Sequence, residues 1–208
     1  MFREILSEKA LKTLESLSAE TENFYLAGGT GLALQLGHRF SEDLDFFSER
    51  PFNIDAIISA IQPDKVLYSS KGTIHCEIND IRISLLFYSV PLVHTPFHWH
   101  DVRIADIRDI VAEKMKTISQ RGAKKDFVDL YAAIRLKYSV AEVCDIFKKR
   151  FGKSDLNFYH VLKSLTFYED AEGEPMPIMK EPSKMWDWET IKSFFLASIH
   201  LFEKGLNP

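Results

Sequence analysis

Asp43-Leu-Asp45 is followed by two phenylalanines, and thirteen positions before Asp43 lies Thr30 of a Gly28-Gly29-Thr30 run. On an extended chain, residues two apart share a side, so this spacing presents two carboxylates to one point. Hard cations such as Mg²⁺ take one or two carboxylates together with phosphate oxygens. Glycines let the backbone approach a phosphate with no Cβ in the way. The two motifs together point to metal-assisted nucleotide chemistry. Taken alone, Asp-Leu-Asp is common and reads as the solvent-facing edge of a strand with Leu44 inside. Arg39 and Ser41 flank the carboxylates and could steer a phosphate or cap the strand.

Lys114 stands in Asp109-Ile-Val-Ala-Glu-Lys114, with Arg121 one heptad later on a similar helical face. A lysine can serve as a point charge on a triphosphate. Among Lys116, Lys124 and Lys125, however, the spacing alone gives a solvated surface lysine. Asp126 and Asp129 sit three apart on one helical face, with Phe127, Leu130 and Tyr131 facing a core. An acid in a first turn ordinarily complements the helix dipole, so the residues alone give Asp126 a structural role. His94, His98 and His100 lack the helical i,i+4 pair or cysteine partner of a zinc site and read as a polar loop. No Gly-x-x-x-x-Gly-Lys-Ser/Thr, Gly-x-Ser-x-Gly or Gly-x-Gly-x-x-Gly occurs, which weakens P-loop, α/β-hydrolase and Rossmann readings.

The elements that must position these groups follow from periodicity. Glu4 to Leu17 has helical spacing, Phe24 to Ala27 is a short strand, and Thr30 would cap a helix that stops at Gly37. Leu44 to Phe47 is the next strand, and Asn53 caps a helix reaching Pro63. Val66 to Tyr68, Thr73 to Ile78 and Ile81 to Tyr88 form an antiparallel meander broken at Lys71-Gly72 and Asn79-Asp80. Pro91 to His100 reads as an irregular connection. Helices are expected from Ile107 to Gln120, Lys125 to Lys137, after the Ser139-x-x-Glu142 capping box, from Asn157 to Tyr168, and from Trp188 to Lys204. This gives an α+β chain: residues 1–104 with a mixed or antiparallel sheet and flanking helices, then a helical bundle over 105–208.

The chain's 208 residues and 46% hydrophobic content allow one domain, or one with a helical extension. A net charge of −4 supplies no global polycation, so any RNA contact needs a local basic patch. Cys76 and Cys144 have no metal-ligand spacing and read as reduced thiols. Acidic residues stand where a signal peptide has its apolar core, and no apolar run approaches about 18 residues, so a cytoplasmic protein without a membrane partner is expected.

Several segments coincide with one family. The chain resembles the AbiEii/AbiGii-type nucleotidyltransferases, toxins of the polymerase-β-like superfamily in bacterial toxin–antitoxin and abortive-infection systems. The resemblance rests on Phe24 to Phe47, Asp109 to Lys114, Arg121 to Tyr131, and Leu165 to Glu172 with Pro175, Pro177 and Trp186. It implies a polymerase-β-like domain followed by a helical bundle. It implies an enzyme that moves a nucleoside monophosphate from an NTP to an acceptor hydroxyl on RNA (tRNA included) or protein, with a cognate antitoxin as partner. By the same resemblance Asp43 and Asp45 bind Mg²⁺ or Mn²⁺, Gly28, Gly29 and Thr30 hold the triphosphate with Arg39 and Ser41 beside them, and Lys114 neutralises phosphate charge. Asp126 completes the site by orienting a group or acting as base. Many members of the superfamily carry a third carboxylate on a later strand, where this chain has Ser84, with Glu77 and Asp80 nearby. The alternative this raises is a catalytically degenerate member that only binds a nucleotide, an RNA or an antitoxin.

Overall fold

A computed structural model describes residues 1–206, and the chain divides into two compact units. The first comprises Met1–Gln35 and Phe40–Asp106; the second comprises Leu36–Arg39 and the chain from Ile107 onward. The sequence placed the division after residue 104 and did not separate Leu36–Arg39 from its surroundings.

The first unit is built on a seven-stranded mixed sheet in the order β3-β4-β5-β2-β1-β7-β6. Its strands are β1 (Tyr25–Leu26), β2 (Leu44–Ser48), β3 (Lys65–Ser70), β4 (Thr73–Ile78), β5 (Ile81–Phe87), β6 (Phe97–Trp99) and β7 (Val102–Ile104). β3, β4 and β5 form the expected meander, β5 runs parallel to β2, and β1 pairs antiparallel to β2 and parallel to β7. The turns place Gly72, Asn79 and Asp80 at positive φ, the conformation that hairpin turns demand and that these residue types tolerate. Burial alternates along β2, β4 and β5 as a sheet with one covered face requires. Leu44, Phe46, Ile74, Cys76, Ile83 and Leu85 enter a core that also holds Leu11 and Leu14 of α1 (Glu8–Ser16) and Leu34 of α2 (Gly28–Leu36). Asp45, His75 and Ser84 lie at the alternate, half-buried positions.

Local caps explain the helix starts. Ser7 accepts a hydrogen bond from Ala10 N–H at the head of α1, and Asn53 accepts one from Ala56 N–H at the head of α3 (Ile54–Ile61). The expected opening helix is a 3₁₀ turn, Arg3–Ile5, followed by α1. The connection read as irregular over Pro91 to His100 contains β6, which pairs with β7 through a turn at His100 and Asp101, both at positive φ.

The second unit contains α4 (Ile107–Arg121), α5 (Lys124–Leu136), α6 (Val140–Phe151), α7 (Phe158–Ser164), α8 (Glu169–Glu172) and α9 (Trp188–Leu206). α5 is its axis, buried from Asp126 through Ala133. Phe127 meets the rings of Tyr168, Trp188 and Phe195 at 5.2, 5.7 and 5.6 Å between centroids. Both halves of the Ser139/Glu142 capping box form at α6, and Arg150 on that helix binds Asp109 and Glu113 of α4. The single helix expected over Asn157 to Tyr168 is α7, capped by Asn157, then a turn and α8. Leu36–Arg39 joins this unit by an antiparallel bridge between Arg39 and Met179 and a bond from Lys180 N–H to the His38 carbonyl. Among the described residues no helix is long and apolar enough to cross a membrane.

Candidate active site

In the first unit, the glycine pair and the carboxylates meet at the start of α2. Gly28 adopts φ +60°, and a Cβ added there would stand 2.5 Å from Asp45 Oδ2. Only glycine lets the backbone turn there and lie against that carboxylate. Ala27 N–H donates to the Asp45 carbonyl at 3.0 Å, which fixes the first helical turn beside β2. Asp43 is exposed just before β2, and Asp45 is half-buried on it. Neither carboxylate has an ion pair or side-chain hydrogen bond among the described residues.

Thr30 does not cap α2, which begins at Gly28. It is buried within the first turn, and its hydroxyl donates to the Asp43 carbonyl while accepting from the Ser41 hydroxyl at 2.8 Å. Thr30 and Ser41 therefore brace the loop that carries Asp43. The donor set suits a hard cation: two uncommitted carboxylates two residues apart, with backbone packed too closely against one of them for any side chain. The first N–H groups of a helix have no acceptor within it, so the start of α2 favours phosphate oxygens.

The register also locates Ser84, which pairs with Asp45 on one side and with His75 on the other. The residue beside Asp45 is thus a neutral hydroxyl, 3.2 Å from His75 Nδ1. Glu77 pairs with Arg82 and Lys65. Asp80 sits in the β4–β5 turn bound to Lys9, so neither stands in Asp45's row.

In the second unit Lys114 and Asp126 are in contact. Lys114 Nζ lies 2.8 Å from Asp126 and 2.6 Å from Asp129. Asp126 also accepts from Arg121 Nε at 3.0 Å. Asp129 accepts from Arg39 Nε at 2.6 Å, from Arg39 Nη2 at 3.0 Å, and is 2.8 Å from His38 Nε2. Every side chain of this cluster except Arg121, whose side chain is 56% exposed, is nearly or fully buried. Burial pushes the Asp129 carboxyl up, but Arg39, Lys114 and the His38 hydrogen bond hold it well below its ordinary value. Asp126 is likewise raised by burial and lowered further by Lys114 and Arg121. Burial pulls Lys114 down, and the two carboxylates leave it above the usual lysine range. For His38 burial prevails over the attraction of Asp129 and lowers its pKa. His38 is therefore neutral, its Nε2–H donates to Asp129, and its buried Nδ1 has no partner among the described residues.

Three sequence-derived site residues thus sit in one buried network: Arg39, Lys114 and Asp126. Their partners Asp129 and His38 were not read as site residues. The Gly-His-Arg run before Ser41 was the available signal for His38, and the three-residue spacing from Asp126 was the signal for Asp129. Among the described residues no group of three or more His, Cys, Asp or Glu side chains is placed to hold a metal. His100 instead pairs with Glu15 at 2.9 Å. Burial pushes both thiols, Cys76 and Cys144, up to about 11.

A mixed sheet with a glycine-led helix set against two uncommitted carboxylates, followed by a helical unit, is the nucleotidyltransferase architecture. Two Helicobacter pylori crystal structures share the fold: JHP933 and a protein described as a candidate nucleotidyltransferase. Each superposes with a TM-score of 0.50 at 18% identity, covering 97% and 96% of this chain and 94% and 97% of theirs respectively. An uncharacterized protein of Aquifex aeolicus (strain VF5), aq_aa25, is 37% identical over 201 residues, 92% of this chain and 93% of its own. The family model for the nucleotidyl transferase AbiEii toxin of type IV toxin–antitoxin systems matches residues 9–84 and 87–206, and the chain belongs to that family.

Proposed function

We propose that the chain is the metal-dependent nucleotidyltransferase toxin of a toxin–antitoxin pair, moving a nucleoside monophosphate from an NTP to an acceptor hydroxyl on RNA or protein. The observation that carries this reading is the pair of uncommitted carboxylates, Asp43 and Asp45, the second of them set against the Gly28 backbone. When bound, Mg²⁺ or Mn²⁺ on these carboxylates neutralises triphosphate charge and makes the attacking hydroxyl more acidic. Gly28 and Gly29 offer backbone N–H groups to the phosphates, and Thr30 and Ser41 keep the Asp43 loop in place. The reaction depends as well on Lys114 and Asp126: Lys114 fixes the Asp126 carboxylate, which in turn orients the more exposed Arg121 guanidinium. Arg39 acts through Asp129 in the same cluster.

The test incubates the protein with each labelled NTP, Mg²⁺, total cellular RNA and cytosolic protein, beside an Asp43→Ala/Asp45→Ala control. Loss of a metal worth several kcal/mol of charge stabilisation lowers transfer roughly a thousandfold or more. Induced expression arrests growth for wild type and not for the control. Absence of transfer with every NTP sinks the enzyme. Ser84 in place of a carboxylate favours a second reading, a protein that only binds nucleotide, RNA or antitoxin. That reading gains if labelled NTP binds without being consumed.

A further inference from the structure

We propose that Ser84 and His75 form a proton-accepting pair for the attacking hydroxyl, standing where no carboxylate is present to do so. The inference rests on the transferase reading above and names residues that reading leaves unused. Asp45, Ser84 and His75 occupy one row across β2, β5 and β4. All three lie at half-buried positions, on the side of the sheet away from its core. Adjacent strands are roughly 4.8 Å apart, so an acceptor hydroxyl drawn to a cation on Asp45 comes within reach of Ser84 Oγ. A cation held by Asp43 and Asp45 would draw on their negative charge and make them weaker proton acceptors. Ser84 is the next polar group in the row, and its Oγ lies 3.2 Å from His75 Nδ1. The Tyr68 ring on β3, 6.1 Å from the imidazole and tilted 33° to it, flanks His75.

The step balances. The acceptor oxygen bonds to the α-phosphorus, the bond from that phosphorus to the bridging oxygen breaks, and pyrophosphate departs with the electron pair. The acceptor's proton passes to Ser84 Oγ as the Ser84 proton passes to His75 Nδ1. Ser84 touches the reacting hydroxyl, whereas His75 is a positioning residue that acts through it. A packing role would be different in kind, because cross-strand polar pairs contribute to sheet stability and not to a reaction rate.

The experiment measures label transfer from NTP, with Mg²⁺, to total cellular RNA and cytosolic protein. It compares wild type, His75→Ala, Ser84→Ala, the double variant, and His75→Ala/Ser84→Asp. Thermal unfolding and Mn²⁺ binding by electron paramagnetic resonance are followed on the same samples. General-base assistance is worth about a hundredfold or more. Each single variant therefore loses about a hundredfold in kcat, with the KM for NTP and Mn²⁺ affinity within about twofold of wild type. Residues acting as a unit are non-additive, so the double variant is no slower than the slower single one. Ser84→Asp restores at least about tenfold in the His75→Ala background, because a carboxylate takes the proton directly. The pair is overturned by a His75→Ala kcat within about threefold of wild type, by a loss that falls on KM, or by no rescue from Ser84→Asp. A wild-type protein that transfers nothing overturns the transferase reading and the pair with it; unchanged transfer in His75→Ala overturns the pair alone.

Discussion

Asp129→Asn keeps the size and shape of the side chain while removing its charge, which isolates the electrostatic contribution of the buried cluster. Asp129 has a fully buried side chain and takes Arg39 Nε, Arg39 Nη2, His38 Nε2 and Lys114 Nζ within 2.6 to 3.0 Å. The cluster sets three cations (Arg39, Lys114, Arg121) against two carboxylates (Asp126, Asp129), a balance of +1 with His38 neutral. The substitution leaves the same three cations with one carboxylate, a balance of +2, and takes from Arg39 the carboxylate it grips with two nitrogens. Removing one partner of a buried ion pair costs about 3–5 kcal/mol. At about 2–4 °C per kcal/mol for a chain of this size, Tm falls by roughly 6–20 °C. Thermal and urea unfolding followed by circular dichroism measure this. Because the folded-state pKa of Asp129 is depressed, its contribution is complete above the unfolded value of about 3.9 and is lost as pH falls through the folded value. The gap between wild type and variant therefore persists down to about pH 4 and closes only below it. A loss under about 1 kcal/mol at pH 7 would refute the premise that this carboxylate neutralises the cluster.

Gly28→Ala meets both a positive φ and a Cβ placed 2.5 Å from Asp45 Oδ2; the expected result is at least about 1 kcal/mol of lost stability in urea, with weakened Mn²⁺ binding by electron paramagnetic resonance. His38 has a folded-state pKa below its unfolded value, so stability is complete above about pH 6.5 and declines as pH falls from there toward the folded value. Urea midpoints between pH 7 and 5 show this slope in wild type, and His38→Gln, which retains an N–H donor for Asp129, flattens it.

The parts of the fold legible in the sequence were those written locally. The meander followed from Lys71-Gly72 and Asn79-Asp80, whose residue types suit the positive φ found there. Ser139-x-x-Glu142 opened α6 as its spacing required. β6 and β7 were missed because their turn uses His100-Asp101, a weaker signal than Asn-Gly for the same left-handed backbone. Thr30 has the residue type of a cap, but Gly28 at positive φ starts the helix earlier and frees the hydroxyl to hold Asp43. Strand periodicity read Asp43 and Asp45 as one strand's pair, and the structure puts only Asp45 on β2, with Asp43 in the loop just before it. The company kept by Lys114 and Asp126 was not legible, since Arg39 and His38 reach Asp129 across 90 and 91 residues. Charge alone gave Lys114 a surface, whereas two carboxylates give it a buried seat.

That separation bears on how the chain acquires its structure. The four-residue stretch Leu36–Arg39 leaves the ribosome long before α5 exists, yet it completes the unit that α5 organises. Closing a loop of some 90 residues costs entropy that local helix contacts do not incur. During synthesis Arg39 and His38 must wait, hydrated, for a partner still to be translated, and the helical half cannot reach its native charge balance as an independent fragment. The second unit is thereby completed by residues translated some 90 positions ahead of the helix they close on.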